Sequence, residues 1–257
     1  MKRVKHVIDA LRALGLRCGL KYYFAGKVLS AIGWGGSLYK LYPPQSAYPL
    51  YLRPGTSDRD VFRQVFIEGE YDIVGRDTDQ AETVIDCGAN VGITTVYLAT
   101  IFPKAQLFAI EPDPGNFSVL WKNTRSFRDR VHCINSGVWS HQVGLKVECG
   151  NYRDGREWTT RVRTVTDGEK ADLQATSIED VMQEYGLHSV DLLKVDIEGA
   201  EVALFDRGYE EWLPHVKAMA IELHGDEAED KLNDALSDVP VSFRSAKHGE
   251  TSLLIQD

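Results

Sequence analysis

The chain has 257 residues, of which 43% are hydrophobic and 26% charged, as in an ordinary globular protein. Its 29 Lys and Arg against 38 Asp and Glu leave a net charge of −9, which is too acidic for a nucleic-acid binder. The length suits one large α/β domain with an appendage, or two small domains.

The four cysteines lie far apart and form no C-x-x-C pair, which predicts a reducing, cytoplasmic location. No secretion signal is expected, because Asp9 and Arg12 interrupt the apolar run that such a signal needs. A membrane-spanning helix is not expected either, since the longest uncharged stretch near the start, residues 28–39, is shorter than roughly 20 residues.

Residues 1–56 are predicted to form a basic helical arm and a linker, ahead of a main domain at 57–257. The first 40 residues hold eight Lys and Arg and a single acid, Asp9. An amphipathic helix is expected here, either touching anionic lipid or an acyl-chain acceptor, or packing on its own domain or on a second subunit. Its apolar stripe is Val4, Ile8, Leu11, Leu14 and Cys18.

The prolines of residues 42–49 cannot continue a helix, so this segment is predicted to be a linker. After it, Ser57 can cap a helix that ends near residues 68–69. From residue 82 the pattern becomes strand, loop, helix, repeated, which indicates a parallel sheet covered on both faces. Strands are expected at 83–87, 106–110, 131–135, 191–195 and 217–223, helices at 93–101, 114–126, 177–184 and 200–212, and an edge hairpin at 241–245 and 251–256.

The first of these strands runs into a loop of small residues. Gly88, Ala89 and Gly92, with Asn90 among them, let a ligand approach the backbone. Such a loop alone fits several nucleotides, but the third glycine of G-x-G-x-x-G is missing, and the P-loop pattern is absent. Asp86 at the strand end would oppose a phosphate and favour a cationic ligand, such as S-adenosylmethionine.

The next two strands end in further candidate cofactor residues. Glu111, which precedes Pro112, lies where a carboxylate can accept both hydrogens of a ribose diol. Gly137 would let adenine lie against the backbone, with Val138 or Trp139 near the ring. Trp139 as an ordinary core residue is an equal alternative.

Three motifs together resemble the FkbM family of methyltransferases: DCGANVG at 86–92, IEP at 110–112 and LKVDIEGAE at 193–201. The resemblance spans roughly residues 57–225. It implies a Rossmann-like class I methyltransferase fold, a mixed and mainly parallel seven-stranded sheet in the order 3-2-1-4-5-7-6 with helices on both faces. By position it also implies that Glu70 and Tyr71 border the methionine end of the cofactor.

The same resemblance implies S-adenosylmethionine-dependent O-methylation of a hydroxyl on a saccharide, glycolipid or polyketide-type natural product. Such a reaction needs a group that takes the hydroxyl proton. Asp196, Glu222 and His224 follow strand ends on the side where ligands of such sheets bind. We expect His224 to be the base, oriented by Glu222 or Asp196, although Glu222 could instead fix His224 or Lys194 in a buried network.

Several alternatives stay open. Glu198 and Glu201 are either helix-start acids or part of the site. No metal is assigned, although the carboxylate oxygens of the candidate site and the imidazole of His224 could also ligate Mg²⁺ or Ca²⁺. Residues 151–163, rich in Arg and aromatic side chains, form either an acceptor-binding flap or a solvated hairpin. The rival functions are a nicotinamide-dependent oxidoreductase and a non-catalytic cofactor-binding scaffold. The oligomeric state is left open.

Overall fold

A computed structural model shows the arrangement of most of the chain. The described residues are 2–31, 38–78, 80–148 and 161–257. Most of the segment predicted as a flap or hairpin therefore lies outside the described residues. Within them, no helix has the length and apolar character needed to cross a bilayer.

The N-terminal arm forms helix α1 (Lys2–Ala31), which bends at Gly15, and Ile8 of the predicted apolar stripe is exposed. The helix buries Leu14, Cys18 and Tyr22 in a hydrophobic cluster that it shares with the main domain. The ring of Tyr22 stacks on Phe62 with a centroid separation of 5.5 Å. The structure thus shows this helix packed on the body of its own chain, which is one of the arrangements expected for it. A domain boundary at residue 56 stays a proposal.

The segment predicted as a linker has a different structure. Strands β1 (Tyr39–Leu41) and β2 (Leu50–Leu52) pair in antiparallel fashion, so the proline-rich residues 42–49 are the turn of a hairpin. The prolines exclude a helix, as expected, but the flanking leucines are fully buried and hold the two strands in the core.

The hairpin is followed by two short helices and then by the alternating strands and helices. The helical elements before the first central strand are α2 (Asp58–Arg63), a π-helical turn (Gln64–Glu68) and α3 (Asp72–Asp77). The later strands are β3 (Thr83–Cys87), β4 (Gln106–Ile110), β5 (Val131–Ile134), β6 (Gly137–Val138), β7 (Gly144–Glu148), β8 (Arg161–Thr164), β9 (Leu173–Thr176), β10 (Leu192–Val195), β11 (Ala218–Ile221), β12 (Phe243–His248) and β13 (Thr251–Gln256). The later helices are α4 (Ile93–Ile101), α5 (Pro114–Thr124), α6 (Ile178–Tyr185), α7 (Glu201–Leu204) and α8 (Asp226–Asp238).

The main sheet has seven strands in the order β12-β13-β11-β10-β3-β4-β5. Five central strands are parallel, and the β12–β13 hairpin joins the edge antiparallel to β11. Numbered by its own strands, this is the order 3-2-1-4-5-7-6 of a Rossmann-like class I methyltransferase, as predicted. Parallel strands aligned in this way bring the carboxyl ends of β3, β4, β10 and β11 to one edge.

Two regions differ from the predicted elements. The helix expected at 200–212 ends at Leu204 and is followed by two 3₁₀ turns, Tyr209–Glu211 and Leu213–His215. Gly208, in a left-handed conformation, and Pro214 interrupt the helical pattern there. A separate four-stranded sheet, in the order β6-β9-β7-β8, is not among the predicted elements, because its strands are short and carry many polar residues.

Close packing at the glycine-rich loop gives a stability prediction. Gly88 has φ +77, and a Cβ there would overlap the carbonyl oxygen of Asp196. Gly88→Ala should therefore lower the free energy of unfolding by about 2 to 4 kcal/mol, from backbone strain plus steric overlap. Gly168→Ala is the matched control, since Gly168 has φ +80 and open space around it. Urea denaturation should show a clearly smaller loss for the control, and equal losses would contradict the close approach.

Candidate functional site

A cavity of about 440 Å³ opens at the carboxyl ends of β3, β4, β10 and β11. Its size is that of a small-molecule site. It brings together residues that are far apart in the sequence, from before the first central strand to the end of β11. The predicted site residues that line it are Glu70, Tyr71, Gly88, Ala89, Asn90, Glu111, Pro112, Gly137, Val138, Asp196 and Glu222.

Asp86 does not line the cavity, contrary to the sequence prediction. Its side chain is fully buried, accepts a hydrogen bond from Thr95 Oγ1 at 2.6 Å, and lies 3.1 Å from Lys194 Nζ. The cation that this carboxylate attracts is therefore a lysine of the neighbouring strand. Burial would lower the pKa of Lys194, but Asp86 and Asp196 raise it above its ordinary value, so the ammonium stays charged.

The ammonium of Lys194 also fixes the start of the glycine-rich loop. It donates to the carbonyl oxygens of Cys87 at 3.1 Å and Gly88 at 2.7 Å. Lys194 itself reaches the cavity wall. Asp86 and Lys194 thus shape the loop that a ligand would contact, and Asp86 contributes indirectly.

Two other predicted cofactor residues also lie away from the cavity. Gly92 precedes α4 with φ +79, and Leu120 packs so closely that a Cβ there would overlap its side chain. Trp139 is half-buried and lines a separate hollow near His141 and Arg207. The small size of Gly92 therefore serves packing between helices, and the indole of Trp139 is outside the cofactor cavity.

Glu111 is held at the cavity wall by three donors. Its carboxylate accepts hydrogen bonds from the backbone N–H of Asn90 at 2.8 Å, the backbone N–H of Asp113 at 3.0 Å, and the amide of Asn116 at 3.2 Å. Burial outweighs these bonds and raises the pKa of Glu111 to about 7. Sequence reasoning missed Asn116, although its position in the first turn after Glu111 was a usable signal.

The opposite end of the cavity is acidic. Glu70 accepts a hydrogen bond from Thr251 Oγ1 at 3.1 Å, and burial together with the negative charge of Glu222 raises its pKa to about 7. Tyr71 is buried beside it. Asp196, at the end of β10, and Glu222, at the end of β11, complete this acidic wall.

His224 lies behind that wall, among four carboxylates. Its Nδ1 is 2.9 Å from Glu201, whereas its Nε2 is 3.5 Å from Glu222, 3.7 Å from Glu198 and 3.9 Å from Asp196. The orienting partner is thus Glu201, in place of the expected Glu222 or Asp196. Burial lowers the pKa of His224, but Glu201, Glu222 and the other carboxylates raise it to about 10. An imidazole in this environment holds a proton at neutral pH, which does not suit the base predicted there.

The comparisons with known proteins agree with this architecture. The sequence profile described as "Methyltransferase FkbM domain" matches residues 86–248. The methyltransferase sdnD of Sordaria araneosa is 26% identical over 63% of this chain and 73% of its own length. The 31-O-demethyl-FK506 methyltransferase FkbM of Streptomyces tacrolimicus is 23% identical over 83% of this chain and 89% of its own length. The hexuronic acid methyltransferase AglP of Haloferax volcanii is 22% identical, with 74% and 77% covered.

The buried pair of Lys194 and Asp86 can be tested by substitution. Lys194→Met should lower the free energy of unfolding by about 3 to 5 kcal/mol, because it leaves the charge of Asp86 buried without its partner. Adding Asp86→Asn should recover part of the loss. Lys231→Met, which breaks the solvent-exposed pair with Asp206, is the control and should change stability little. If chemical denaturation gives similar small losses for both lysines, the buried pair does not hold the loop.

Proposed function

Because the chain belongs to the FkbM family of methyltransferases, we propose that it transfers a methyl group from S-adenosylmethionine to a hydroxyl oxygen. The observation that carries the proposal is the buried carboxylate of Glu111 at the wall of a cavity bounded by the glycine-rich loop. A carboxylate so placed accepts hydrogen bonds from the two hydroxyls of a ribose.

The residues around the cavity fit this cofactor. Asn90 lines the cavity, and its buried Oδ1 has no hydrogen-bond partner among the described residues, so it can accept from a ligand. Gly137 and Val138 offer a flat, apolar place for adenine beside the ribose site. At the other end, Glu70 and Tyr71 would border the methionine moiety.

The acidic end of the cavity supports a cationic group near the acceptor. When bound, S-adenosylmethionine supplies an electrophilic methyl group on a positively charged sulfur. Glu70, Asp196 and Glu222 place negative charge at that end, which stabilises a cation in a partly buried site. These three carboxylates thus take the role that was predicted for Asp86.

The acceptor hydroxyl must lose its proton as it is methylated, and the chain offers carboxylates for this step. Asp196 and Glu222 reach the cavity, whereas the side chain of His224 is 1% exposed. We therefore propose that Asp196 and Glu222 orient the hydroxyl and take its proton, and that His224 is a positioning residue behind them.

The names of two relatives support a class of acceptor. One is named for 31-O-demethyl-FK506 and the other for hexuronic acid, which supports a polyketide-type or saccharide acceptor here. A panel of such compounds, tested with radiolabelled S-adenosylmethionine, checks the proposal. Methyl transfer to a hydroxyl is expected. Tight nicotinamide-cofactor binding without methyl transfer would favour the oxidoreductase, and cofactor binding without any turnover would favour the scaffold.

Glu111 should make cofactor binding depend on pH. Its charged form accepts the ribose hydrogens, so protonation as the pH falls through about 7 weakens binding. The affinity for S-adenosylhomocysteine should therefore fall about tenfold from pH 8 to pH 6. Calorimetry at several pH values measures this.

Two variants assign that pH dependence. Glu111→Gln should bind more weakly at pH 8, by about 1 to 3 kcal/mol, and lose most of the pH dependence. Glu227→Gln is the control, because Glu227 is exposed at the start of α8 and does not line the cavity, so this variant should keep the affinity and its pH dependence. A Glu111→Gln protein that binds as tightly as the unaltered chain at pH 8 would remove Glu111 from the ribose site.

A further inference from the structure

The second ring nitrogen of His224, Nε2, is buried among carboxylates and lacks a hydrogen bond within the part of the chain that the structure describes. The side chain is 1% exposed, and its Nε2 makes no hydrogen bond with any described residue. A buried nitrogen without a partner is rare and points to a missing ligand. The atoms nearest to it are carboxylate oxygens of Glu222, Glu198 and Asp196, at 3.5 to 3.9 Å.

We propose that Asp196, Glu198 and His224 Nε2 bind a divalent cation of the Mn²⁺ class. Their ligand atoms lie within 4.8 Å of one another. Two ligands about 2.1 to 2.2 Å from one ion, at angles of 90° to 120°, are about 3.0 to 3.8 Å apart. The observed separations from Nε2, 3.7 Å to Glu198 and 3.9 Å to Asp196, need only small movements to close around an ion. One imidazole with carboxylates suits Mn²⁺, with Mg²⁺ as a weaker occupant.

The surroundings of the histidine are those of a metal ligand. Nδ1 lies 2.9 Å from Glu201, a fully buried carboxylate. Because the imidazole holds protons on both nitrogens at neutral pH, a cation would have to displace the Nε2 proton as it binds. The Nδ1 proton would remain donated to Glu201, and the Nε2 lone pair would then face the cluster. A carboxylate behind a histidine in this way fixes the ring and increases its basicity toward a metal. The same oxygen of Glu201 accepts a hydrogen bond from the backbone N–H of Ile197 at 3.2 Å, so Glu201 fixes both the turn before α7 and the histidine.

The turn after β10 delivers the second carboxylate to the cluster. Glu198 has φ +52 and Gly199 has φ +100, so two consecutive residues adopt left-handed backbone conformations. Such a conformation is uncommon for a glutamate and recurs at ligand sites. It brings the side chain of Glu198 beside that of Asp196. In an extended chain the two side chains would lie farther apart.

A cation at this place would deepen the proposed function, and this consequence rests on that function. The acceptor hydroxyl would bind the cation, which lowers the pKa of the hydroxyl. With Asp196 holding the cation, Glu222 alone would take the proton of the hydroxyl. The oxygen would bond to the methyl carbon, and the carbon–sulfur bond would break with its electron pair kept by sulfur. The sulfonium becomes a neutral thioether, so charge and atoms balance.

Binding of Mn²⁺ alone to the full chain tests the site without any need for the acceptor. After chelator treatment and dialysis, electron paramagnetic resonance should show one bound Mn²⁺ per chain. The substitutions Glu198→Gln and His224→Gln should each weaken the affinity for Mn²⁺ by about tenfold or more. Glu227→Gln, an exposed acid at the start of α8, is the control and should not. Retained S-adenosylhomocysteine binding shows that the variants are folded.

The opposite results would overturn the site. One such result is that Mn²⁺ does not bind saturably at millimolar concentration. The other is that neither substitution weakens Mn²⁺ binding. If the variants do not fold, anomalous diffraction from crystals of the unaltered chain with Mn²⁺ decides, and a peak elsewhere or no peak contradicts the proposal. Bound Mn²⁺ without methyl transfer to any acceptor would instead count against the proposed function alone.

Discussion

The buried ion pair of Lys194 and Asp86 determines the geometry of the site. The two residues are direct partners in the register of the neighbouring parallel strands β10 and β3. Neither side chain is more than 3% exposed, so their separation of 3.1 Å is a strong constraint in a low-dielectric interior. Because the same ammonium binds the carbonyl oxygens of Cys87 and Gly88, it couples the sheet to the loop that forms the cavity floor.

That coupling makes the two halves of the site one unit. Gly88 approaches the backbone of Asp196 so closely that the loop after β3 and the turn after β10 cannot move independently. One half carries Glu111 and Asn90, which suit an adenosine, and the other carries Asp196 and Glu222, which suit a cation and a hydroxyl. A cofactor held by the first half would therefore present its reactive end to the second at a fixed distance.

The sequence predicted the features that depend on local pattern. The strands at 83–87 and 106–110, the glycine-rich loop and the acidic end of β4 all lie where their residues indicate. The partners of Asp86 and His224 could not be read in this way. Lys194 meets Asp86 only through strand register across more than 100 residues, and Glu201 meets His224 through a contact between residues 23 positions apart. A charge at a strand end thus indicates a site, but the fold decides whether that charge faces the ligand or another side chain.

A crystal structure of the complex with S-adenosylhomocysteine is the most direct test of these roles for the cavity residues. Both ribose hydroxyls should lie within about 2.6 to 3.2 Å of the Glu111 carboxylate, the sulfur should lie near Asp196 and Glu222, and Asp86 should still be paired with Lys194. A ribose bound away from Glu111, or Asp86 released from Lys194 to contact the ligand, would contradict these roles.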